Sequence, residues 1–296
     1  MTEPGPSKGL TPLREAVNDT LAATIWGMEG TGKTLHVLRY WPLPIVVLNL
    51  DRPLTRAHLG YLDPDRIDQI HVRNLRESLK DIDHNDAMRI KSVIEADITA
   101  NLDWLKGGTL LLDGGTMYRS VLKLADPVIG PSMDARTADP NAKRVNPKER
   151  ERINAYLGQL VSYIQDQNIN FVITGHAAFA WKLGEQGLEK TKNVYPKLDD
   201  ILFERVNLSV LLYKRCECGR NIVSQDGSCS AENPAGTPGV AHQGRQHISR
   251  IVTNKFFSAS EGTEWSALTY STISALCFDS IKAKLLMEAN PLGKRP

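Results

Sequence analysis

The chain has 296 residues, of which 41% are apolar, enough to bury a core in one large or two modest domains. Lys and Arg nearly balance Asp and Glu at a formal charge of +2, so no global field marks a nucleic-acid binder, and any such role must come from local patches. The longest apolar runs, Pro44 to Leu50 and Thr109 to Leu112, are strand-sized and too short to span a membrane, and four cysteines without a disulfide-like spacing suit a reducing cytosol.

Residues 1–20 open Pro/Gly-rich and lack a basic start followed by an apolar segment. They read as a flexible N-terminal arm without a secretory signal, which predicts a cytoplasmic protein. The apolar run Leu21 to Trp26 predicts a strand, and Leu35 to Tyr40 a helix. Between them Gly27-Met28-Glu29-Gly30-Thr31-Gly32-Lys33-Thr34 matches G-x-x-x-x-G-K-[ST], a phosphate-binding loop in the strand-loop-helix setting its chemistry needs. Gly27, Gly30 and Gly32 let backbone N–H groups approach phosphate oxygens. The helix that opens near Gly32 and continues through Leu35, which is counted with the nucleotide-binding residues, adds its positive dipole end, Lys33 a charge for the β- and γ-phosphates, and Thr34 a hydroxyl for Mg²⁺.

Ile45 to Leu50 predicts a second buried strand ending at Asp51, and Ile70 to Arg73 a short third. Ile90, Val93, Ile94, Ile98, Leu102 and Leu105 recur at helical spacing up to Gly107-Gly108. Thr109 to Leu112 is a strand delivering Asp113. After a Pro-containing polar loop, Ile153, Tyr156, Leu157, Leu160, Val161 and Ile164 form one helical stripe. Asn170 to Gly175 predicts a strand ending at His176, and two more strands are expected around Leu208 to Tyr213 and His247 to Thr253. Strands alternating with helices imply an α/β fold whose mainly parallel sheet is covered on both faces. Ligands of such sheets sit beyond the C-terminal strand ends, where Asp51, Asp113 and His176 converge on the glycine loop.

Asp113 suits a Walker B carboxylate that holds Mg²⁺ with Thr34. Gly114-Gly115 follow it instead of a water-polarising glutamate, so the catalytic carboxylate must come from another strand, and Asp51 is the best placed. Asp51 also suits a turn into Arg52-Pro53, and His176 is either a γ-phosphate sensor or a strand-end histidine. Asn254-Lys255-Phe256-Phe257 has phenylalanine where the guanine-reading N-K-x-D pattern needs aspartate, which favours ATP.

On the Gly27 to Thr34 loop, Asp113, Asp51 and His176, the chain resembles the RecA/RadA-type recombinase core, specifically the minimal phage nucleotide-binding or single-strand annealing proteins of the RecA superfamily. The resemblance covers roughly Leu21 to Phe257. It implies a RecA-like P-loop ATPase core over 21–278, followed by a C-terminal tail over 279–296. Asp51 stands where the family carries a glutamate, and His176 where it carries a glutamine. The resemblance further implies assembly into filaments or rings, a single-strand binding protein as a possible partner, and the host cytoplasm as location if the chain is phage-encoded. DNA would meet two loops. The first, Asn141 to Arg152, has five positive and two negative side chains, including Lys143, Arg144 and Lys148. The second interleaves Trp181, Lys182, Lys190, Lys192, Tyr195 and Lys197, a mixture suited to stacking bases and meeting phosphates of a single strand. Solvated mixed-charge loops have the same composition. Lys255 falls where such proteins place cations that reach a neighbour's ATP, although a surface lysine fits equally.

The segment 216–246 is poor in apolar residues and holds Cys216, Cys218 and Cys229, with His242 inside it and His247 just beyond. A structural Zn²⁺ held by three thiolates and His242 or His247 would order it; free reduced cysteines are the alternative. The expected function is a DNA-dependent ATPase of recombination acting on single strands. Its rivals are a small-molecule P-loop kinase and a nucleotide switch or helicase-loader module without strong turnover.

Overall fold

The structure is a computed structural model that describes residues 20–75, 82–126, 147–184, 187–198, 200–216, 221–222, 245–256, 258–290 and 292. At 147–150, 179–184, 187–194, 200, 201, 203, 215, 216, 221, 222 and 245–247 the backbone alone is described. Strands β1 (Ala22–Gly27), β2 (Ile45–Asn49), β4 (Thr109–Asp113) and the first half of β5 (Asn170–Gly184) are apolar without a polar face. Alternate residues enter opposite cores. Ile45, Val47, Leu111, Val172, Ala23 and Ile25 pack to one side, and Val46, Leu48, Leu110, Leu112, Phe171 and Ala22 to the other. Period-2 alternation of apolar residues on both faces is what a doubly covered parallel sheet requires.

The first core is closed by helices α1 (Lys33–Tyr40), α8 (Tyr270–Phe278) and α9 (Ser280–Ala289), through Val37, Leu38, Trp41, Ile273, Leu276 and Ala283. Two single-turn helices, α2 (Arg56–Leu59) and α3 (Pro64–Ile67), follow β2. The second core is closed by α4 (His84–Asn101), α5 (Gly115–Ala125), α6 (Pro147–Asp166) and α7 (Asp200–Arg205), with Ile90, Ile94, Tyr118, Leu157, Val161 and Leu202. Side-chain caps set several helix starts: Asp83 accepts from the Asp86 N–H at 2.8 Å, and Asp279 from the Lys282 N–H at 3.0 Å.

With β3 (Ile70–Asn74), β7 (Leu208–Cys216), β9 (Arg245–Asn254) and β10 (Glu264–Trp265), the strand order is β10-β9-β7-β1-β5-β4-β2-β3. The run from β7 to β3 is parallel, and β9 and β10 continue it antiparallel. Two strand pairings branch from it, the long β6 (Gly187–Pro196) on β5 and the short β8 (Asn221–Ile222) on β7. The chain is therefore an α/β protein with a mixed, mostly parallel sheet flanked by helices. Among the described residues no helix is long and apolar enough to cross a membrane.

Three local expectations change. The helix predicted to reach Leu105 ends at Asn101, and Leu105, fully buried, enters the core from a turn closed by Gly107 at φ +74°. The strand expected to stop at His176 runs on to Gly184 and folds back as β6, so the second proposed DNA loop is a β-hairpin. Its signature is Gly184 and Gly187 flanking a two-residue connection between strand-forming runs. The segment from 279 onward contains α9, whose Ala283 is buried and whose Leu286 and Met287 pack on the first core.

Candidate functional site

Residues 27–34 form the turn from β1 into α1. A Cβ on Gly27 would stand 2.2 Å from the Leu212 carbonyl oxygen of β7, so only glycine lets β1 end this close to its neighbour. Gly32 caps α1 at φ +83°, a left-handed conformation that aims the first N–H groups of the helix outward without the strain a side chain would bring. Thr31 Oγ1 donates to the Met28 carbonyl at 2.8 Å and closes the turn. Lys33 is buried, with Nζ 3.2 Å from the Gly27 oxygen and 3.1 Å from the Met28 oxygen. Burial pulls its pKa down, opposed by the charges of Asp113, Asp51 and Glu29. A desolvated ammonium whose hydrogen bonds go to neutral carbonyls fits a binding place for an anion.

Asp113, at the end of β4, is buried and accepts from Thr34 Oγ1 at 2.8 Å and from Thr174 Oγ1 at 2.6 Å. Thr174, on β5, also accepts the Gly114 N–H at 3.0 Å. Burial pushes the Asp113 pKa up, and the two hydroxyl donors pull it back. The Asp113 carboxylate and Thr34 hydroxyl are paired hard oxygen donors beside the loop. They fit Mg²⁺, which binds through one or two carboxylates and otherwise keeps waters and substrate phosphates. Among the described residues no group of three His, Cys, Asp or Glu could hold a metal by itself.

The raised Asp113 pKa carries a testable sign. Its folded-state value lies above the unfolded one, so the stability it contributes is present below the usual carboxylate range and lost as pH rises through the raised value. Asp113→Asn keeps the uncharged form at every pH. It is expected to raise the melting temperature of the nucleotide-free protein at pH 7, by about 1–2 °C for each ~1 kcal/mol relieved. The same variant should lose any further rise on adding ATP with magnesium. Scanning fluorimetry of both proteins with and without that addition checks both parts.

Asp51 follows β2 on a bend set by Asn49, whose Oδ1 accepts the Asp51 N–H at 3.0 Å. Asn49 itself is anchored by Asn74 of β3 at 3.0 Å. Across the sheet His176 Nε2 lies 3.1 Å from Asp51 Oδ2. That hydrogen bond is the main reason the Asp51 pKa falls below its ordinary value, against the opposing effect of burial. The ends of four strands thus meet: Lys33 and Thr34 after β1, Asp51 after β2, Asp113 on β4 and His176 on β5 line one cleft of about 550 Å³. Arg52, Leu54, Ala57, His58 and Tyr61 line it too. Sequence reasoning missed these residues and Thr174. The chain between Asp51 and Tyr61 carries no strand or long-helix signal, and the Thr174 hydroxyl acquires its role only through the β4–β5 register.

The other proposed site residues are distributed differently. Lys143 and Arg144 lie outside the described residues, and Lys148 lies on the backbone of α6. In the hairpin Trp181 is in register with Lys190 and Lys182 with Glu189, and Lys192 belongs to β6. Lys197 is exposed at the hairpin root, where its N–H donates to the His176 carbonyl at 2.7 Å and its own carbonyl accepts from Thr116 Oγ1 at 3.1 Å. Lys255 follows β9 at the end of the sheet opposite the cleft, since Asn254 is in register with Leu208 at the start of β7. Its ammonium caps the Glu204 carbonyl at the end of α7. Of the proposed zinc ligands, Cys218, Cys229 and His242 lie outside the described residues. Cys216 and His247 sit on paired strands, with Lys214 opposite His247 and Arg245 opposite Cys216.

Compared with known families and curated proteins, the chain matches no family model and no curated sequence.

Proposed function

We propose that the chain is a RecA-like P-loop ATPase that binds ATP with Mg²⁺ and couples its hydrolysis to single-stranded DNA, in an assembly of identical subunits. The observation that carries the reading is the meeting of Lys33, Thr34, Asp113, Asp51 and His176 at one cleft behind a glycine-capped helix start. A buried cation, a hydroxyl–carboxylate pair and a second, hydrogen-bonded carboxylate are the parts phosphoryl transfer needs, because its catalysis is mostly positioning and charge stabilisation.

In this reading the N–H groups of residues 30–35 and the Lys33 ammonium hold the β- and γ-phosphates. Thr34 and Asp113 would hold Mg²⁺, which would supply neutralisation of phosphate charge. Asp51 orients the attacking water and accepts its proton as the new oxygen–phosphorus bond forms. The γ-phosphorus bond to the bridging oxygen breaks, and its electron pair leaves with ADP. The His176 bond fixes the carboxylate and lowers its basicity, so Asp51 acts chiefly by aiming water. ATP is the nucleotide proposed, since the sequence holds no guanine-reading N-K-x-D pattern; Asn254 and Lys255 lie at the end of the sheet away from the cleft and do not bear on the base.

The DNA half of the proposal is supported by the hairpin. Beyond His176, β5 pairs with β6 alone among the described residues, and the strand joins the cleft histidine directly to the Trp181–Lys190 rung. The hairpin root is fastened to α5 through Thr116 and Lys197. A change at the terminal phosphate therefore has a continuous backbone route to a basic, aromatic ribbon.

The test is ATP turnover measured with and without single-stranded DNA, alongside salt-dependent DNA retention and particle images. DNA-stimulated turnover and salt-sensitive retention are expected. Neutralising Lys190 and Lys192 should weaken retention and reduce the slope of log affinity against log salt by about 0.7 per lysine. Turnover indifferent to DNA without salt-sensitive retention defeats the DNA half. Phosphate transfer to a small metabolite, or tight ATP binding without turnover and with a replication partner, would point to the kinase or the loader instead.

A further inference from the structure

The glycine-rich loop carries an acidic residue at its tip, and that residue is engaged. Glu29 Oε1 lies 2.5 Å from Nη2 of Arg52, the residue immediately after Asp51. Both line the cleft. The side chains are 45% and 70% exposed, so the pair is screened by water and contributes little to folding. It is not needed to place either backbone: the loop is closed by Thr31 and Lys33, and the Asp51 bend by Asn49. Arg52 accordingly has a long, loosely held guanidinium at the mouth of an anion site, beside the carboxylate that aims water.

The electrostatic position of Glu29 explains why the pair forms. Its carboxylate pairs with Arg52 and also lies close enough to favour the charged form of the buried Lys33. It is therefore paired with one cleft cation and acts electrostatically on a second. A polyphosphate entering the cleft repels Glu29 and offers Arg52 a bidentate partner with more charge than one carboxylate. Both effects break the Glu29–Arg52 contact and favour a phosphate–Arg52 contact, so the ligand interacts differently with the two arrangements, as any ligand-driven switch requires.

We propose that Arg52 is a catalytic residue for the terminal phosphate, parked on Glu29 in the absence of nucleotide and released onto that phosphate when a nucleoside triphosphate binds. The inference rests on the nucleotide reading of the cleft. A diphosphate lacks the group nearest Asp51, so it leaves Arg52 on Glu29; a triphosphate transfers it. The guanidinium then meets the negative charge on the equatorial oxygens as the bond to the bridging oxygen breaks.

The experiment compares the full chain with Arg52→Ala, Arg52→Lys, Glu29→Gln and the Arg52→Ala/Glu29→Gln double variant. Binding of ADP and of a non-hydrolysable ATP analogue is measured by calorimetry with magnesium, then ATP turnover. Arg52→Ala is expected to weaken the ATP analogue about tenfold, leave ADP within about twofold, and lower turnover roughly 100-fold. Arg52→Lys, with charge but no fork, should recover binding more than turnover. Glu29→Gln should strengthen analogue binding several-fold, and most of that gain should vanish in the double variant. Wild-type binding and turnover, with Arg52→Ala within about threefold of wild type in both, overturns this inference alone. No nucleotide binding by the wild-type chain overturns the nucleotide reading and this inference with it. Unchanged melting of the apo variants separates either result from misfolding.

Discussion

Lys33→Ala is expected to abolish nucleotide binding while leaving the empty protein folded. Lys33 is buried, its hydrogen bonds go to two carbonyls, and burial lowers its pKa. A lysine with a depressed pKa contributes stability above its unfolded value and loses it as pH falls through the folded value, so at pH 7 its charge is a cost to the empty protein. Phosphate charge would offset that cost. In the wild type, ATP at 100 times its Kd should add about 2.7 kcal/mol to unfolding stability, and in Lys33→Ala this increment should vanish. Thermal unfolding with and without ATP and magnesium distinguishes lost binding from a damaged fold. A variant that keeps the full increment would mean that residues 27–34 do not hold the triphosphate.

The second large effect belongs to Asp51. Asp51→Asn keeps the shape and the Asn49 bend but removes the carboxylate proposed to aim the water and take its proton, so turnover should fall by about 10²–10⁴ with ATP affinity changed only a few-fold. The pH profile gives a sharper check. The hydrogen bond from His176 is the largest cause of the low Asp51 pKa. The wild-type acid limb should therefore lie below the ordinary carboxylate range, and His176→Ala should move it upward. The stability part has the same sign: a depressed carboxylate stabilises above its unfolded pKa and loses that contribution as pH falls through the folded one. Turnover measured from acid to neutral pH in the wild type and His176→Ala tests both. An acid limb that does not move when the imidazole is removed would leave Asp51 and His176 uncoupled in catalysis.

Local chemistry made much of the molecule readable in advance. Ile45 to Leu50, Thr109 to Leu112 and Asn170 to Gly175 could be recognised as doubly buried strands because they have no polar face, and each delivers a site residue at its end. The helix of Ile153, Leu157, Val161 and Ile164 was visible in its spacing, and these four residues are all buried. Leu102 and Leu105 misled, because a turn can insert a leucine into a core at helical spacing without continuing the helix. The β5–β6 hairpin was hidden by Trp181, Lys182, Lys190 and Lys192. Mixed basic and aromatic residues resemble an exposed loop, and the backbone pairing that defines a ribbon has no local residue signature beyond the glycines at its turn.

The glycine loop, the acidic strand tips and the two-sided apolar strands follow from interactions within a few residues, namely backbone sterics, side-chain period and helix-start chemistry, so they can be read along the chain. Which tips touch is another matter. The Thr174 and Thr34 donors on Asp113, the His176 bond to Asp51, the Glu29–Arg52 contact and the retreat of Lys255 to the far end of the sheet depend on strand order and register. Those are set by the packing of both cores at once, a cooperative choice among distant segments that no short stretch of residues encodes.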